Sequence, residues 1–384
     1  MKIVKRISSV FLAVLFTVCL CYAFRVNATE FSDKINAESA VLMEASSGKV
    51  LFEQNANTPL PPASVTKIMT LLLVMEAVDD GKIELDDMVT TSEYAASMGG
   101  SQVFLEQGEQ MSVEDMIKSV VIASANDAAV ALAEHICGSE ASFVSQMNEK
   151  AKELGMENTH FENTNGLDDD VTNHLISAMD IAIMSRELLT HEKILDYTSI
   201  WQDTIRDGAF TLSNTNRLIR FYEGANGLKT GSTSKAKFCI SASAKRDDMQ
   251  LICVIMGAPT RDIRNAEAKK LLDYGFSNYG IYKYEPEEIG EFPVLGARGE
   301  KITAISSDFS YLTDKSKLKK VERRIVCAES FSAPVKSGEV IGKVEFLIDG
   351  EVVGESEIIS CNFVDSISFG ELIFLIIKKI ASII

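Results

Sequence analysis

Runs of apolar residues separated by polar turns predict a mixture of strands and helices in the first 280 residues. The stretch SAVLMEASSGKVLFEQN holds two strand-like runs around a turn at residues 46–48, which predicts a β-hairpin. The apolar run IMTLLLVMEAV after Lys67 has the length of a helix and ends at the polar residues 79–81. Residues 113–155 alternate apolar helical stretches with loops of small residues.

Another helix, two strands and a final helix follow in the same region. TNHLISAMDIAIMSRELLTH predicts an amphipathic helix, whose apolar positions include Leu175, Met179, Ile183 and Met184. Strands are predicted at residues 238–244 and 249–256, and RNAEAKKLLDYGF predicts a helix that ends near Gly275. Strands at both ends with helices between them indicate an α+β fold rather than a regular βαβ alternation.

The pattern changes after about Tyr279. The stretch YKYEPEEIGEFPVLG is typical of a loop-rich boundary, and residues 292–364 contain short strand-like runs separated by turn signals. Asp349-Gly350 between two apolar runs is a strong hairpin signal. We therefore predict one domain over residues 29–280 and a small all-β domain over residues 281–365.

The C-terminal residues 366–384 are predicted to form an amphipathic helix. Charged residues interrupt this stretch too often for a membrane span. One side of the helical wheel carries Phe369, Leu372, Ile373, Ile376, Ile380 and Ile383, and the other carries Glu371, Lys378 and Ser382. This favours a helix that lies in the plane of a membrane surface. The alternative is a terminal helix that covers the protein's own core.

The first residues have the layout of a secretory signal. Lys2, Lys5 and Arg6 precede the uncharged run ISSVFLAVLFTVCLCYAF, and small residues near Ala28 suggest a cleavage site. We predict a signal peptide over residues 1–28 and an extracytoplasmic location, attached to the outer face of the cytoplasmic membrane. An uncleaved N-terminal membrane anchor is the alternative, and a lipoprotein is disfavoured because Leu20 precedes Cys21.

Net charge excludes one class of partner. Removing residues 1–28 removes four positive charges and no negative ones, so the net charge of −17 becomes −21. A strongly acidic surface repels phosphates, and we therefore expect no binding to nucleic acids.

The cysteines constrain the chain without defining a site. The five that follow residue 28 are Cys137, Cys239, Cys253, Cys327 and Cys361. They show neither C-x-x-C pairs nor metal-ligand spacing, so no metal is expected. An odd number in a large domain is not typical of a disulfide scaffold. A bridge between Cys239 and Cys253 stays open, with two buried thiols as the favoured interpretation.

Ser64 and Lys67, in PPASVTKIMT, are the first candidates for chemistry. Residues three apart at a helix start share a face, so the hydroxyl and the ammonium can be neighbours. A lysine whose pKa is lowered by burial can take the proton of a serine and make it nucleophilic. The spacing alone is weak evidence, since an ordinary helix start with a solvated lysine would share it. It recurs at Ser46–Lys49, Ser232–Lys235, Ser234–Lys237 and Ser316–Lys319.

Two further short motifs follow in order. Ser124-Ala125-Asn126 lies in a small-residue stretch and suits either a loop that points polar groups into a pocket or an ordinary helix N-cap. Lys229-Thr230-Gly231 is predicted to open a strand whose edge can bind an extended peptide. The alternative for Lys229 is a solvated lysine at a polar strand start. Each motif is weak by itself, but a helix start, a loop and a strand in this order are what acyl-serine transferases require.

On these motifs the chain resembles the low-molecular-weight penicillin-binding proteins, specifically the serine-type D-alanyl-D-alanine carboxypeptidases. The resemblance runs from about Ile35 to the C-terminus and includes PPASVTKIMT, SANDAAVALAEH, MNEKAKELGMENTHFENTNGLDD, GLKTGST and RNAEAKKLLDYGF. It implies a β-lactamase/transpeptidase-like catalytic domain, with a sheet and a helical cluster, ahead of the β domain.

The resemblance also implies a role for each matching residue. Ser64 would be the acylated nucleophile, Lys67 its base and Ser124 a proton relay. Ligands for the substrate amide and its terminal carboxylate would be Asn126, Lys229, Thr230, Gly231, Ser232 and Arg264. The alternative for Arg264 is a surface arginine at a helix start. The backbone N–H groups of Ser64 and Ser232 would form the oxyanion hole.

The implied reaction needs no metal and no cofactor. Ser64 would release the last D-alanine of a peptidoglycan stem peptide, water would hydrolyse the acyl-enzyme, and β-lactams would acylate the same serine. A class A β-lactamase is disfavoured because no Glu-x-x-Leu-Asn motif lies between Ser124 and Lys229. A DD-endopeptidase and a non-catalytic wall-binding module stay open. A Ser-His-Asp hydrolase is discounted because G-x-S-x-G is absent.

Overall fold

The computed structural model describes residues 31–169 and 171–381. The predicted signal peptide, residues 1–28, lies outside the described residues, as do the last three residues of the predicted C-terminal helix. The chain divides into two units, and every described helix and strand belongs to the second, Ile35–Ile384.

The strands and helices alternate irregularly along this unit. The strands are β1 (Ser39–Glu44), β2 (Val50–Gln54), β3 (Met88–Thr90), β4 (Gln110–Ser112), β5 (Gln202–Ile205), β6 (Phe210–Ser213), β7 (Ala225–Thr233), β8 (Lys237–Arg246), β9 (Met249–Ala258), β10 (Tyr279–Tyr284), β11 (Glu288–Leu295), β12 (Lys301–Ser306), β13 (Phe309–Asp314), β14 (Glu322–Cys327), β15 (Phe331–Ser332), β16 (Val340–Ile348) and β17 (Glu351–Ser360). The α-helices are α1 (Lys67–Asp79), α2 (Glu93–Ala96), α3 (Val113–Lys118), α4 (Asn126–Cys137), α5 (Glu140–Glu153), α6 (Ala178–Leu188), α7 (Ile194–Thr198), α8 (Leu218–Phe221), α9 (Arg261–Asn278) and α10 (Phe369–Ala381). Short 3₁₀ turns form at Ala63–Thr66 and Leu318–Lys320, and a π turn forms at Ser119–Ala123.

A five-stranded antiparallel sheet in the order β2-β1-β9-β8-β7 supports the first domain. The predicted hairpin is confirmed as β1 and β2, and the two predicted strands at residues 238–244 and 249–256 are confirmed within β8 and β9. Strand β7 is an edge of this sheet, since among the described strands it pairs with β8 alone.

Both faces of the sheet are covered by helices. Side chains alternate between faces along a strand. Val41 and Met43 of β1 face the large core that also contains Ile181 of α6, whereas Leu42 and Leu251 face α9 at Gly275. Helix α1 packs against α4 and α6, away from solvent.

Helix α1 is buried around nearly its whole circumference. Residues 67–75 are all buried, which explains why the sequence there is one uninterrupted apolar run. The predicted helix is confirmed and ends at Asp79. Because Lys67 is its first residue, the helix holds that amine inside the protein, where the side chain is 0% exposed.

Two predicted helix boundaries are wrong. Helix α9 does not end near Gly275 but continues to Asn278. A Cβ on Gly275 would lie 2.6 Å from Leu251 Cδ1, so this glycine permits close packing on the sheet instead of ending the helix. Helix α6 starts only at Ala178, because Ser177 caps it and Leu175 is paired with His160.

The later residues form the predicted β domain. Its main sheet has the order β14-β16-β17-β12-β11-β15, and β10 pairs with β13. The predicted hairpin is confirmed, since β16 and β17 pair through Asp349 and Gly350, whose φ angles of 53° and 86° suit a tight turn. Strand β10 crosses the boundary predicted between residues 280 and 281. The division of domains at that point stays a prediction.

The predicted C-terminal helix is present as α10, and none of its described residues is buried. Phe369 is 79% exposed and Phe374 is 67% exposed. The described residues of α10 therefore do not cover the protein's own core, which was the alternative. Among the described helices, none combines the length and the apolar character needed to cross a membrane.

Candidate active site

Ser64 lies in the 3₁₀ turn Ala63–Thr66 that leads directly into α1. The Nζ atom of Lys67 is 3.0 Å from Ser64 Oγ, so the two side chains share a face as predicted. Ala63, just before the serine, has a φ of 49°, which is uncommon for a residue with a side chain. The turn is therefore held in a conformation that its surroundings must stabilise.

The Lys67 amine has two further partners. Nζ lies 2.5 Å from Asn126 Oδ1 and 2.8 Å from the carbonyl oxygen of Asn165. Asn126 Nδ2 donates to the carbonyl of Gly99 at 2.7 Å, which fixes the orientation of the amide and leaves Oδ1 toward the lysine. Both oxygens beside Nζ can only accept hydrogen bonds.

This arrangement suits an uncharged lysine. A neutral amine has two N–H groups and one lone pair, so it can donate to Asn126 and Asn165 and accept from the Ser64 hydroxyl. Burial lowers the pKa of Lys67 well below its ordinary value, the charge of Lys229 lowers it further, and Asp127 opposes both. The solvated-lysine alternative for Lys67 is wrong.

Ser124 ends the π turn Ser119–Ala123 in a left-handed conformation, with φ 64° and ψ 31°. Helix α4 begins two residues later, and its N-cap is Ala125, without a side-chain cap. The alternative that Ser124 or Asn126 caps this helix is therefore wrong. The turn instead directs Ser124 to the cleft beside Ser64.

Lys229, Thr230, Gly231 and Ser232 do not open a strand as predicted, since β7 already starts at Ala225. The prediction of a strand edge is confirmed. A Cβ on Gly231 would lie 2.8 Å from the Ser64 nitrogen and 2.9 Å from the Pro62 oxygen, so only glycine lets β7 approach the serine turn this closely.

The interior side of β7 carries a buried cation. Lys229 is 1% exposed and lies 3.0 Å from the carbonyl oxygen of Thr230, so the solvated alternative is wrong here too. Burial and the charge of Arg264 lower the pKa of Lys229 to about 7. Thr230 Oγ1 donates to Thr215 Oγ1 at 2.8 Å, which holds its hydroxyl at the cleft.

Arg264 is 3% exposed, so the surface alternative is wrong. Its guanidinium donates to the Cys239 carbonyl at 3.3 Å and to Asn265 Oδ1 at 2.9 Å. Burial, together with the nearby charges of Arg261 and Arg217, lowers its pKa to about 10. The cations around the cleft therefore repel one another, which favours an anionic ligand.

One cleft brings most of these residues together. Its lining is Ser64, Ser101, Ser124, Thr215, Thr230, Gly231, Ser232, Arg261 and Arg264. Lys67 joins the cleft through its contact with Ser64, and Asn126 through its contact with Lys67. No group of three histidine, cysteine, aspartate or glutamate side chains within the described ranges is placed to hold a metal ion. Cys239 and Cys253 are free thiols, as favoured.

Several contributors were missed from the sequence. Asn165 supplies only a backbone carbonyl, which leaves no side-chain signature. Asp127 accepts hydrogen bonds from the backbone nitrogens of Val103 and Leu105, so it ties the loop after Ser101 to the start of α4. The cleft residues Thr215 and Arg261 lie outside the three motifs. The Asn-Gly pair at residues 165–166 is a turn signal, so the sequence marks the loop that carries Asn165. It does not indicate the contact between that loop and Lys67.

A serine beside a buried lysine, an edge strand with a close glycine and a group of cations is typical of an acyl-serine transferase. Residues 25–260 match the family described as D-alanyl-D-alanine carboxypeptidase, peptidase S11. Residues 286–366 match the C-terminal domain of penicillin-binding protein 5. The chain therefore belongs to the peptidase S11 family of D-alanyl-D-alanine carboxypeptidases.

Individual relatives agree with this assignment. The chain is 48% identical over 330 residues to the D-alanyl-D-alanine carboxypeptidase DacF of Bacillus subtilis, covering 84% of each protein. It is 34% identical to penicillin-binding protein 5 from Haemophilus influenzae, with a TM-score of 0.72 over 87% of this chain and 99% of that one. Penicillin-binding protein D2 from Listeria monocytogenes, in its ampicillin-bound form, is 33% identical with a TM-score of 0.58 over 63% and 98%. The predicted fold, an α+β catalytic domain followed by an all-β domain, is confirmed.

Proposed function

We propose that Ser64 is the acylated nucleophile of a D-alanyl-D-alanine carboxypeptidase reaction, with Lys67 as its base. The observation that carries the proposal is the set of partners around Nζ. Two acceptor-only oxygens, of Asn126 and Asn165, lie beside Nζ, and Ser64 Oγ lies 3.0 Å from the same atom, so the lone pair of a neutral amine can face the serine. A neutral amine at this distance can accept the hydroxyl proton as Oγ attacks a carbonyl carbon.

The substrate is the terminal D-alanyl-D-alanine of a peptidoglycan stem peptide. Its carboxylate would bind Thr230, Ser232 and Arg264, with the charge of Lys229 behind them. These buried cations favour such an anion, because the charge of Arg264 lowers the pKa of Lys229 and the charges of Arg261 and Arg217 lower that of Arg264. An arginine can also bind a carboxylate through two parallel hydrogen bonds.

The oxyanion would accept hydrogen bonds from the backbone N–H groups of Ser64 and Ser232. The close approach of β7 to the serine supports this, since a Cβ on Gly231 would lie only 2.8 Å from the Ser64 nitrogen. The peptide would lie along the β7 edge, and Asn126 would bind its amide.

After Oγ attacks, the bond to the last D-alanine breaks, and this D-alanine leaves with a proton passed from Lys67 through Ser124, so that the acyl-enzyme remains. Water then hydrolyses the ester on Ser64. A β-lactam would acylate the same serine and leave slowly, because the chain has no Glu-x-x-Leu-Asn motif between Ser124 and Lys229 to activate the hydrolytic water.

Release of D-alanine tests this function. The purified protein is incubated with a stem pentapeptide, and free D-alanine is measured for the wild type and for Ser64→Ala. Release by the wild type alone is expected. No release by the wild type would refute the carboxypeptidase reaction, cleavage of cross-linked dimers instead would identify a DD-endopeptidase, and rapid penicillin turnover would identify a β-lactamase.

The two ends of the chain support a proposed location. A D-alanyl-D-alanine carboxypeptidase acts on the cell wall, outside the cytoplasm, which agrees with a signal peptide over residues 1–28. The exposed apolar residues of α10 support attachment to the outer face of the cytoplasmic membrane. If a protein that lacks residues 366–384 stays equally membrane-bound after signal cleavage, this attachment is wrong.

A further inference from the structure

His174 is a buried histidine that the proposed reaction does not use. It is 5% exposed and packs edge-on against Phe161, with ring centroids 5.8 Å apart. It lies in the segment just before α6, far along the chain from Ser64. Its ring nevertheless reaches the serine turn, because Nε2 lies 2.8 Å from Thr66 Oγ1.

The other ring nitrogen determines the tautomer. Nδ1 lies 2.9 Å from the backbone nitrogen of Glu162, which can only donate a hydrogen bond. Nδ1 must therefore accept and carry no proton. Burial lowers the pKa of His174 to about 4, so the neutral ring carries its proton on Nε2 and donates it to Thr66 Oγ1.

The hydrogen-bond direction then continues to the backbone. Thr66 Oγ1 accepts from His174, and its own hydroxyl donates to the carbonyl oxygen of Ala63 at 2.9 Å. That carbonyl belongs to the residue with a φ of 49° that precedes the serine. The chain of bonds runs from His174 through Thr66 to Ala63 in one direction only.

The Ala63 carbonyl controls the orientation of the next N–H group. A peptide unit is planar, so fixing the Ala63 C=O also fixes the direction of the Ser64 N–H on its opposite side. In the proposed reaction, that N–H is one of the two groups that donate hydrogen bonds to the oxyanion. A donor contributes most when it is held in place before charge develops.

We propose that His174 is a positioning residue, which acts through Thr66 to hold the Ala63–Ser64 peptide with its N–H directed at the oxyanion. This inference rests on the proposed function. Its rival is a purely structural role, in which His174 only joins the backbone at Glu162 to the 3₁₀ turn Ala63–Thr66.

Two substitutions separate these roles, because each keeps one of the two ring contacts. In His174→Gln the amide nitrogen reaches the position of Nε2 and can still donate to Thr66. In His174→Asn the amide oxygen reaches the position of Nδ1 and can still accept from Glu162, but Thr66 loses its donor. Thr66→Val removes the hydroxyl directly, and Thr66→Ser restores it.

The measurement is the rate of Ser64 acylation by a fluorescent penicillin, as a function of concentration, for proteins whose melting temperatures are also recorded. For His174→Asn and Thr66→Val we expect the rate at saturation to fall about 10–100-fold, somewhat less than loss of a whole oxyanion donor. The half-saturating concentration should change little. His174→Gln and Thr66→Ser should acylate within about threefold of the wild type, in keeping with a retained donor.

The proposal is overturned if His174→Asn and His174→Gln acylate at equal rates, or if Thr66→Val acylates like the wild type. Should His174→Asn fail to fold, the comparison of Thr66→Val with Thr66→Ser decides alone. These results are distinct from failure of the proposed function, which would appear as equal labelling of the wild type and Ser64→Ala.

Discussion

At the scale of single residues, the proposed chemistry requires Lys67 in its neutral form. Burial and the charge of Lys229 lower the pKa of Lys67, and two acceptor-only oxygens, those of Asn126 and Asn165, lie beside its Nζ. The Asn126 oxygen accepts a hydrogen bond from Lys67 without carrying a charge, so it does not stabilise the ammonium form as a carboxylate would. A carboxylate at the same position would favour the ammonium form.

Asn126→Asp tests this electrostatic argument. It puts a negative charge where the amide oxygen now lies 2.5 Å from Nζ, and should raise the pKa of Lys67 by about 1–3 pKa units. An ammonium cannot accept the Ser64 proton, so acylation by penicillin should fall at neutral pH and recover as the pH rises. The pH dependence of the acylation rate measures this. A profile that overlays that of the wild type would contradict a neutral Lys67.

His174 makes a second prediction, about stability. Its pKa is about 4 in the folded protein against an ordinary value of 6.5, chiefly through burial and with His160 adding to the lowering, while Glu162 and Asp168 act against it. Between these values the unfolded chain binds a proton that the folded protein does not. The free energy of unfolding should therefore fall as the pH drops from 6.5 towards 4.

The loss amounts to about 3.5 kcal/mol at most, since the pKa difference is about 2.5 units and one unit corresponds to about 1.4 kcal/mol. His174→Gln carries no titrating group at this position and keeps the donor to Thr66. Its free energy of unfolding relative to the wild type should therefore increase as the pH falls from 6.5 towards 4. Urea unfolding of both proteins at several pH values measures the difference. Parallel curves for the two proteins would show that His174 titrates normally.

At the scale of helices and strands, the burial of α1 explains why this helix could be predicted from the sequence. A helix that is buried all round reads as an unbroken apolar run, so its position and the place of Ser64 at its start were predictable. The hairpin at Asp349-Gly350 was equally clear because that pair suits positive φ at both positions. These signals are local, and each has one common structural meaning.

Other features have no unique local signal. Gly275 has the residue type that ends helices, but its role is close packing against β1 and β9, which depends on residues far along the chain. The Asn165 carbonyl beside Lys67 is a backbone atom, so no side chain marks it. His174 reaches Ser64 only through a tertiary contact with Thr66. The motifs were predictable, whereas the groups that support them were not.

Gly275→Ala tests the packing of α9. Alanine is a better helix former by about 1 kcal/mol, but its Cβ would lie 2.6 Å from Leu251 Cδ1 and 3.1 Å from Leu42 Cδ2. Overpacking of this kind costs about 1–3 kcal/mol, so the free energy of unfolding should decrease. The double variant Gly275→Ala with Leu251→Ala should lose less than the sum of the two single losses. A more stable Gly275→Ala protein would mean that the glycine is not a packing requirement.

At the scale of the whole molecule, the catalytic domain, the β domain and α10 are arranged in chain order. The protein has a net charge of −17, yet α10 ends with Lys378 and Lys379 beside many exposed apolar residues. An apolar helix with local positive charge suits an anionic membrane surface even on an acidic protein.

Charge reversal tests that attachment. Lys378→Glu with Lys379→Glu should weaken binding to vesicles of anionic phospholipid, by about 1 kcal/mol for each lysine removed and more for the added repulsion. The matched control is Lys319→Glu with Lys320→Glu, which makes the same charge change at exposed positions of the β domain. Vesicle sedimentation measures the bound fraction. Equal weakening by both pairs would point to overall charge rather than to α10.

The claim on which the account depends most is that Ser64, and no other residue, is acylated. The most direct measurement is mass spectrometry of the purified protein after incubation with penicillin, followed by peptide mapping. We expect one long-lived penicilloyl group on the peptide that contains Ser64, and none on Ser64→Ala. An adduct on another residue, or an equal adduct on Ser64→Ala, would contradict it.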